Sequence, residues 1–340
     1  MRAAVFYEAG DMRVEEKPKP EIGECEALIE VRATGVCGTD IHIYKGEWSV
    51  PAPLILGHEF SGVVFEVGRE VTKFEVGDRV VAEPNITCGK CRFCLMSERN
   101  YFCENLEAIG VTRDGAFAEY VRVPEGNLYK VPSGISYEEA ALIEPLACCI
   151  RGIDRAGIRV GDVVAIIGAG PVGLLLLQLA KASGASTVIQ TDLVEERLRL
   201  AERLGADRTV NVGREDPAEA VMALTDGYGV DVAIEAVGRP ETITQAINLT
   251  RRGGRLNIFG VAPQDALWSV KPFELYDKEL TITTSYRSPF TFQRAVRLAA
   301  SGRIVLKPLV THTFQLSQID RAFEVAERKI EGAIKVIVKP

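Results

Sequence analysis

The chain has 340 residues, 47% hydrophobic and 26% charged, the balance of a soluble globular protein. Its length exceeds one ordinary core, so two domains are expected. A net charge of -7 without a long Lys/Arg run excludes nucleic acid as the expected partner.

The opening run from Met1 to Glu8 lacks an apolar core long enough for a signal, which predicts a cytoplasmic protein. Short strands divided by turns follow. Ala27 to Ala33, Val63 to Val67, Arg79 to Ala82 and Ala118 to Val123 carry β-branched or alternating patterns with Gly or Pro between them, as in an irregular β-barrel-type domain. Within it, Gly35-Val-Cys37-Gly-Thr39-Asp-Ile-His42 and Gly57-His58-Glu59 hold two of the three histidines of the chain. A thiolate, an imidazole and a carboxylate brought together make a three-ligand zinc site with an open position. Taken singly, each reads more simply otherwise: Cys37 as a buried small residue, His58 as a turn histidine and Glu59 as a surface charge.

The eight cysteines raise the question of disulfides, but their close spacing points instead to metal. Cys88, Cys91, Cys94 and Cys103 lie within sixteen residues and can wrap one tetrahedral zinc without a distant ligand. An iron-sulfur site is the alternative, although nothing else in the chain suggests electron transfer. Cys25, Cys148 and Cys149 read as core or surface thiols.

After Tyr137 the pattern turns helical, with Glu144-Pro-Leu-Ala on the approach to a β-α-β unit. There the strand Val163 to Ile167 meets Gly168-x-Gly170-x-x-Gly173, a helix-forming run follows, and a second strand from Thr187 ends at Asp192, which together make a dinucleotide fingerprint. Gly168 allows the tight turn, Gly170 a close backbone approach to pyrophosphate, and Gly173 close helix-strand packing. Pro171 occupies the first helical turn, where its missing N–H costs nothing, and the free N–H groups there face phosphate. Asp192 is placed to accept from both ribose hydroxyls. The uncharged stretch Val163 to Ala180 is long enough for a membrane span, but Gly168, Gly170 and Pro171 break it, so no membrane is expected.

Helices and strands then alternate: helix Val194 to Leu204, strand Thr209 to Val212, helix Ala218 to Leu224, strand Val230 to Ala236, helix Glu241 to Leu249 and strand Arg255 to Phe259. A last strand, Leu280 to Tyr286, completes the α/β alternation of a doubly wound parallel sheet. The tail, with helix Thr291 to Ser301, strand Val310 to Phe314, helix Ser317 to Arg328 and strand Ala333 to Val338, is assigned to the first domain, because the dinucleotide sheet already has six strands.

Together these motifs resemble the zinc-dependent medium-chain dehydrogenase/reductase superfamily from about Ala3 to Val338. The resemblance implies a GroES-like catalytic domain (1–150 and 288–340) interrupted by a Rossmann domain (151–287), with the active site in the cleft between them. It implies a zinc-dependent enzyme that uses NAD, with NADP disfavoured by Asp192, and two zinc ions per chain. Cys37, His58 and Glu59 match the catalytic zinc ligands, Glu144 a further acid that binds the metal directly or through water, and Thr39 and His42 a proton relay. The cysteine quartet matches the structural zinc lobe, with eight residues before Cys103 where the family has seven.

Val172 and Val237 join Gly168, Gly170, Pro171, Gly173 and Asp192 as implied cofactor contacts, while Arg197 could accommodate a 2′-phosphate. Glu83-Pro-Asn-Ile, Asp114-Gly-Ala-Phe117-Ala-Glu-Tyr and Tyr286-Arg287-Ser-Pro-Phe are similar to polyol dehydrogenases of the sorbitol type, which implies a polyol substrate contacted by Phe117 and Arg287. Residues 38–44 also resemble threonine 3-dehydrogenases, and Ile43 departs from the animal sorbitol enzymes, which have Tyr there. The same resemblance implies a homotetramer, or a dimer.

Overall fold

The computed structural model describes residues 1–96 and 100–340, so the longer spacing before Cys103 falls partly outside the described residues. The chain divides into two compact units: Met1–Ala147 with Ser288–Gly302 and Leu306–Pro340, and Cys148–Arg287 with Arg303–Val305.

In the first unit early and late segments of the chain meet in one sheet. Strands Leu128–Lys130, Arg79–Ala82, Glu59–Val67, Glu26–Gly35, Lys335–Lys339 and Val310–Gln315 are neighbours in that order, and Tyr120–Pro124 also pairs with Glu26–Gly35. The long pairing of Glu26–Gly35 with Glu59–Val67 slips register between Leu28 and Ile29 and again between Val31 and Ala33. Such irregularities bend a strand, which suits a curved, barrel-type sheet. A second sheet joins Arg2–Glu8, Asp11–Glu16 and Leu54–Ile55. Its first two strands are not predicted from the sequence, because Ala3 to Phe6 are buried in succession and no period-two signal exists.

One apolar cluster of this unit gathers Phe6, Ile43, Leu56, Phe117 and Phe323, and another Ile29, Phe60, Val80 and Val121. Through the first, Tyr44 meets Phe323 edge to face at 5.4 Å. That contact fixes the short helix Gly38–Tyr44 on helix Ile319–Arg328.

The second unit is a six-stranded parallel sheet in the order Arg208–Asn211, Thr187–Asp192, Val163–Ile167, Val230–Glu235, Thr250–Ile258 and Thr281–Thr284. Val164, Ala165, Ile166 and Ile167 are all buried, as expected of a central strand covered on both faces. Strand order reverses beside Val163–Ile167, the position outside which α/β sheets bind ligands. The fifth strand begins at Thr250 rather than Arg255, because its pairing resumes across a register shift opposite Val230. Among the described residues no helix is long and apolar enough to cross a membrane.

Candidate active site

Three strand ends of the first unit assemble one cluster. Gly35 pairs with Glu59 on one side and with Ile337 on the other, which brings the first residue of Glu59–Val67 and the start of Lys335–Lys339 together. A Cβ on Gly35 would lie 2.3 Å from Glu59 Oε2, so only glycine lets that carboxylate cross the strand. Cys37 follows as the N-cap of helix Gly38–Tyr44, its N–H donating to Asp40 Oδ2 at 2.9 Å. As a result one ligand atom each from Cys37, His58 and Glu59 lies within 4.8 Å of the others.

The electrostatics of this cluster suit a dication. Burial opposes charge on His58, but the negative charges of Asp40 and Cys37 outweigh it and hold the imidazole pKa well above 6.5. His58 Nδ1 lies 3.4 Å from Asp40 Oδ1, and neither atom has a hydrogen-bond partner among the described residues. A carboxylate behind a histidine is the usual means of orienting a metal-binding imidazole. Lys335 is the one buried lysine among the described residues; its Nζ donates to Glu59 Oε2 at 2.6 Å and to Val36 O at 3.1 Å. Burial disfavours its charge, and Glu59, Cys37 and Glu144 more than offset this, raising it above 10.5.

Glu144, in the first turn of helix Ile143–Ala156, is buried but stands outside the trio of converging ligand atoms. Its charge, after burial the largest influence toward the acid form, helps push the buried Glu83 carboxyl up to about 7, against hydrogen bonds from Asn85 and Ser288. Thr39 and His42 occupy positions i and i+3 of helix Gly38–Tyr44 and so share a face. Half-buried His42 continues outward: its Nδ1 lies 2.5 Å from Glu47 Oε2. That bond and one from Lys45 lower the Glu47 pKa.

The cysteine quartet also converges within 4.8 Å, with Sγ separations of 3.5 Å for Cys91 and Cys94 and 3.9 Å for Cys88 and Cys94. All four thiols are free. Backbone N–H groups of Lys90 and Cys91 pull Cys88 down to about 6, whereas burial and its neighbouring thiols push Cys94 up to about 12. Four sulfurs so crowded cannot all ionise without a cation, and a tetrahedral zinc removes that conflict.

In the second unit the fingerprint forms the turn it predicts. A Cβ on Gly173 would lie 1.8 Å from Gly168 O, whereas one on Gly170 would meet nothing, leaving open space beside the backbone there. Helix Pro171–Ala182 starts with Pro171 at its first turn and has no side-chain cap, so the N–H groups near Val172 and Gly173 lack a local side-chain acceptor. Asp192 Oδ2 accepts from Ala169 N at 2.6 Å and Oδ1 from Val194 N at 2.9 Å. Each oxygen keeps a second lone pair, enough for two ribose hydroxyls. Val237 lies against Gly168, and Arg197 is buried within helix Glu195–Arg203.

Arg287 adopts φ 60°, and its guanidinium stacks 4.5 Å over the ring of Tyr286. Phe117, a sequence-level substrate contact, is fully buried and packs 5.6 Å from Phe323, a core position that accounts for it without a ligand. Sequence reasoning misses Asp40, Glu47, Glu83 as a buried acid, and Lys335. Asp40 carries a local signal, three residues after its Cys37 partner; Lys335 carries none, lying 276 residues from Glu59.

The chain is also similar to known dehydrogenases. Residues 23–133 match the alcohol dehydrogenase GroES-like domain and residues 171–301 the zinc-binding dehydrogenase family. The chain is 38% identical to a sorbitol dehydrogenase of Bacillus subtilis, over 100% of this chain and 97% of that protein. It is 38% identical to an L-threonine 3-dehydrogenase of Bacillus licheniformis, over 94% of this chain and 93% of that one. A solved zinc-binding dehydrogenase from Sinorhizobium meliloti, bound to NADP, superimposes with a TM-score of 0.95 at 38% identity, covering 100% of this chain and 99% of that one.

Proposed function

Because the chain belongs to the zinc-dependent medium-chain dehydrogenase/reductase superfamily, we propose that it interconverts a polyhydroxylated secondary alcohol and its ketone with NAD as hydride acceptor. The observation that carries this reading is the convergence of Cys37, His58 and Glu59 within 4.8 Å, beside a helix whose Thr39 and His42 share one face. Zinc, when bound, supplies Lewis acidity toward a substrate hydroxyl, and the nicotinamide accepts hydride.

The chain's own residues do the rest. Cys37, His58 and Glu59 hold the metal, Asp40 orients His58, and Glu144 is a further acid for metal or water. Thr39 accepts the substrate hydroxyl proton, passes one to His42, and His42 delivers it toward solvent beside Glu47, 2.5 Å away. Arg287 holds outlying hydroxyls, for which a guanidinium has donors enough. Gly168, Gly170, Pro171, Val172, Gly173 and Val237 cradle the dinucleotide, and Asp192 favours NAD because a 2′-phosphate would meet its carboxylate. Cys88, Cys91, Cys94 and Cys103 hold a second, structural zinc, and the protein works as a cytoplasmic homotetramer.

The sorbitol dehydrogenase relative supports the polyol reading. Oxidation of L-threonine is the second reading, favoured by its own relative and by Arg287, which could equally pair a carboxylate. Initial rates for sorbitol, xylitol, L-threonine, 2,3-butanediol and glucose, each with NAD and NADP, test both. The expected result is highest kcat/KM for a polyol with NAD. Threonine far ahead of every polyol would replace the first reading with the second, and equal efficiency with NADP would remove the role of Asp192.

A further inference from the structure

Lys335 is unusual for its place as well as its burial. It begins the strand Lys335–Lys339 at the chain's end, yet its ammonium reaches back to Glu59 Oε2 at 2.6 Å and Val36 O at 3.1 Å. The two partner side chains are 4% and 2% exposed, so water cannot replace either of them cheaply. Lys335 is held from behind as well: strand Lys335–Lys339 pairs with Glu26–Gly35, and Gly35 leaves the space that Glu59 fills.

A carboxylate beside a metal can donate through one oxygen or through both. The second mode fills a coordination position that a catalytic zinc must leave open for substrate. At Glu59 one oxygen is already engaged by the ammonium, and freeing it would leave a buried charge on Lys335 without its partner. The same positive charge stands close to wherever a cation joins Cys37, His58 and Glu59, and opposes it.

Resting on the reading of this trio as a zinc site, we propose that Lys335 is a positioning residue of the metal centre, which confines Glu59 to single-oxygen donation and loosens the hold on zinc to preserve an open position.

The test compares the intact protein with Lys335→Met, which keeps length and removes charge, and Lys335→Arg, which keeps charge. Zinc affinity at the Cys37/His58/Glu59 site is measured by chelator competition, and the coordination number by the visible spectrum of cobalt placed there. In the unsubstituted protein cobalt should give the intense absorption of a four-coordinate ion; the weak absorption of a higher-coordinate ion would overturn the proposal without any variant. Lys335→Met, which removes a positive charge facing the cation, should bind zinc on the order of tenfold more tightly, with weaker cobalt absorption and a lower kcat at little-changed KM. Lys335→Arg should return affinity, spectrum and kcat toward those of the parent. A purely structural ion pair would instead lower or leave unchanged the zinc affinity of Lys335→Met, with an unaltered cobalt spectrum, and either result would overturn the proposal. Should the unsubstituted protein bind no metal at this trio, it is the zinc-site reading itself that fails, and the stoichiometry measured first separates that failure from the other.

Discussion

Glu144 is buried in the first turn of its helix, near enough to Glu83 and Lys335 to influence the charge of both, yet outside the three converging ligand atoms. A carboxylate in that position is suited to exchange with water on the metal rather than to act as a permanent ligand. Glu144→Gln should therefore lower turnover by about tenfold to a hundredfold, as for other residues that support a metal. Steady-state rates on a folded, zinc-loaded variant check it; an unaltered rate would leave Glu144 a packing residue. At Arg287 a left-handed backbone accompanies a guanidinium stacked on Tyr286. Arg287→Ala should weaken binding of a long polyol by about 1–3 kcal/mol while sparing a short diol, read as the ratio of their kcat/KM values. Equal losses on both substrates would point to a structural role.

Among the elements, the parallel sheet depends on side chains that tie its strands together where hydrogen-bond ladders end. Asp231 is one: Oδ2 accepts from Val163 N at 2.8 Å and Oδ1 from Arg251 Nε at 2.7 Å, linking three strands. Burial alone would raise its pKa, but these two donors prevail and lower it below 3.8. A lowered carboxylate pKa means that the folded state binds its proton less readily than the unfolded chain. Its stabilisation is therefore complete above the unfolded value, about pH 4, and fades as pH falls through the lower folded value. Asp231→Asn should cost about 1.5–3 kcal/mol at neutral pH, and the gap to the parent should close under acid. Urea unfolding at a series of pH values measures both, and a gap independent of pH would show that the ion pair contributes nothing.

For the whole molecule, metal content is the decisive quantity. Among its described residues the quartet lobe exposes Leu95, Met96 and Phe102, so its fold is expected to depend on what its thiolates bind. The trio around Cys37, by contrast, sits at the ends of strands held by their own backbone ladders. Two zinc ions per chain are expected, and they should leave in order under a chelator. The first should depart with loss of activity and little change in Tm, the second with a fall in Tm. One zinc or none in fully active protein would contradict this assignment.

The dinucleotide turn, the β/α alternation and the cysteine quartet were all legible in the sequence by itself, because each is written within a short window. Glycine spacing, periods of 2 and 3.6 residues, and thiols three apart need no knowledge of what lies across the molecule. Cys37, His58 and Glu59 could be nominated by chemical type, but their meeting depends on Gly35 pairing with Glu59, a matter of register. The motif around Phe117 predicts a substrate contact, whereas its 0% exposure, with Phe323 of helix Ile319–Arg328 packed against it, is set by tertiary packing. The ammonium of Lys335 lies furthest beyond reach of the sequence. Alone among the lysines described it is buried, and what buries it is a strand from the end of the chain laid beside one from its beginning. Sheet pairing across hundreds of residues is decided by the total burial and hydrogen bonding of the folded chain, and no local pattern of charges or apolar side chains records which distant partner a residue will meet.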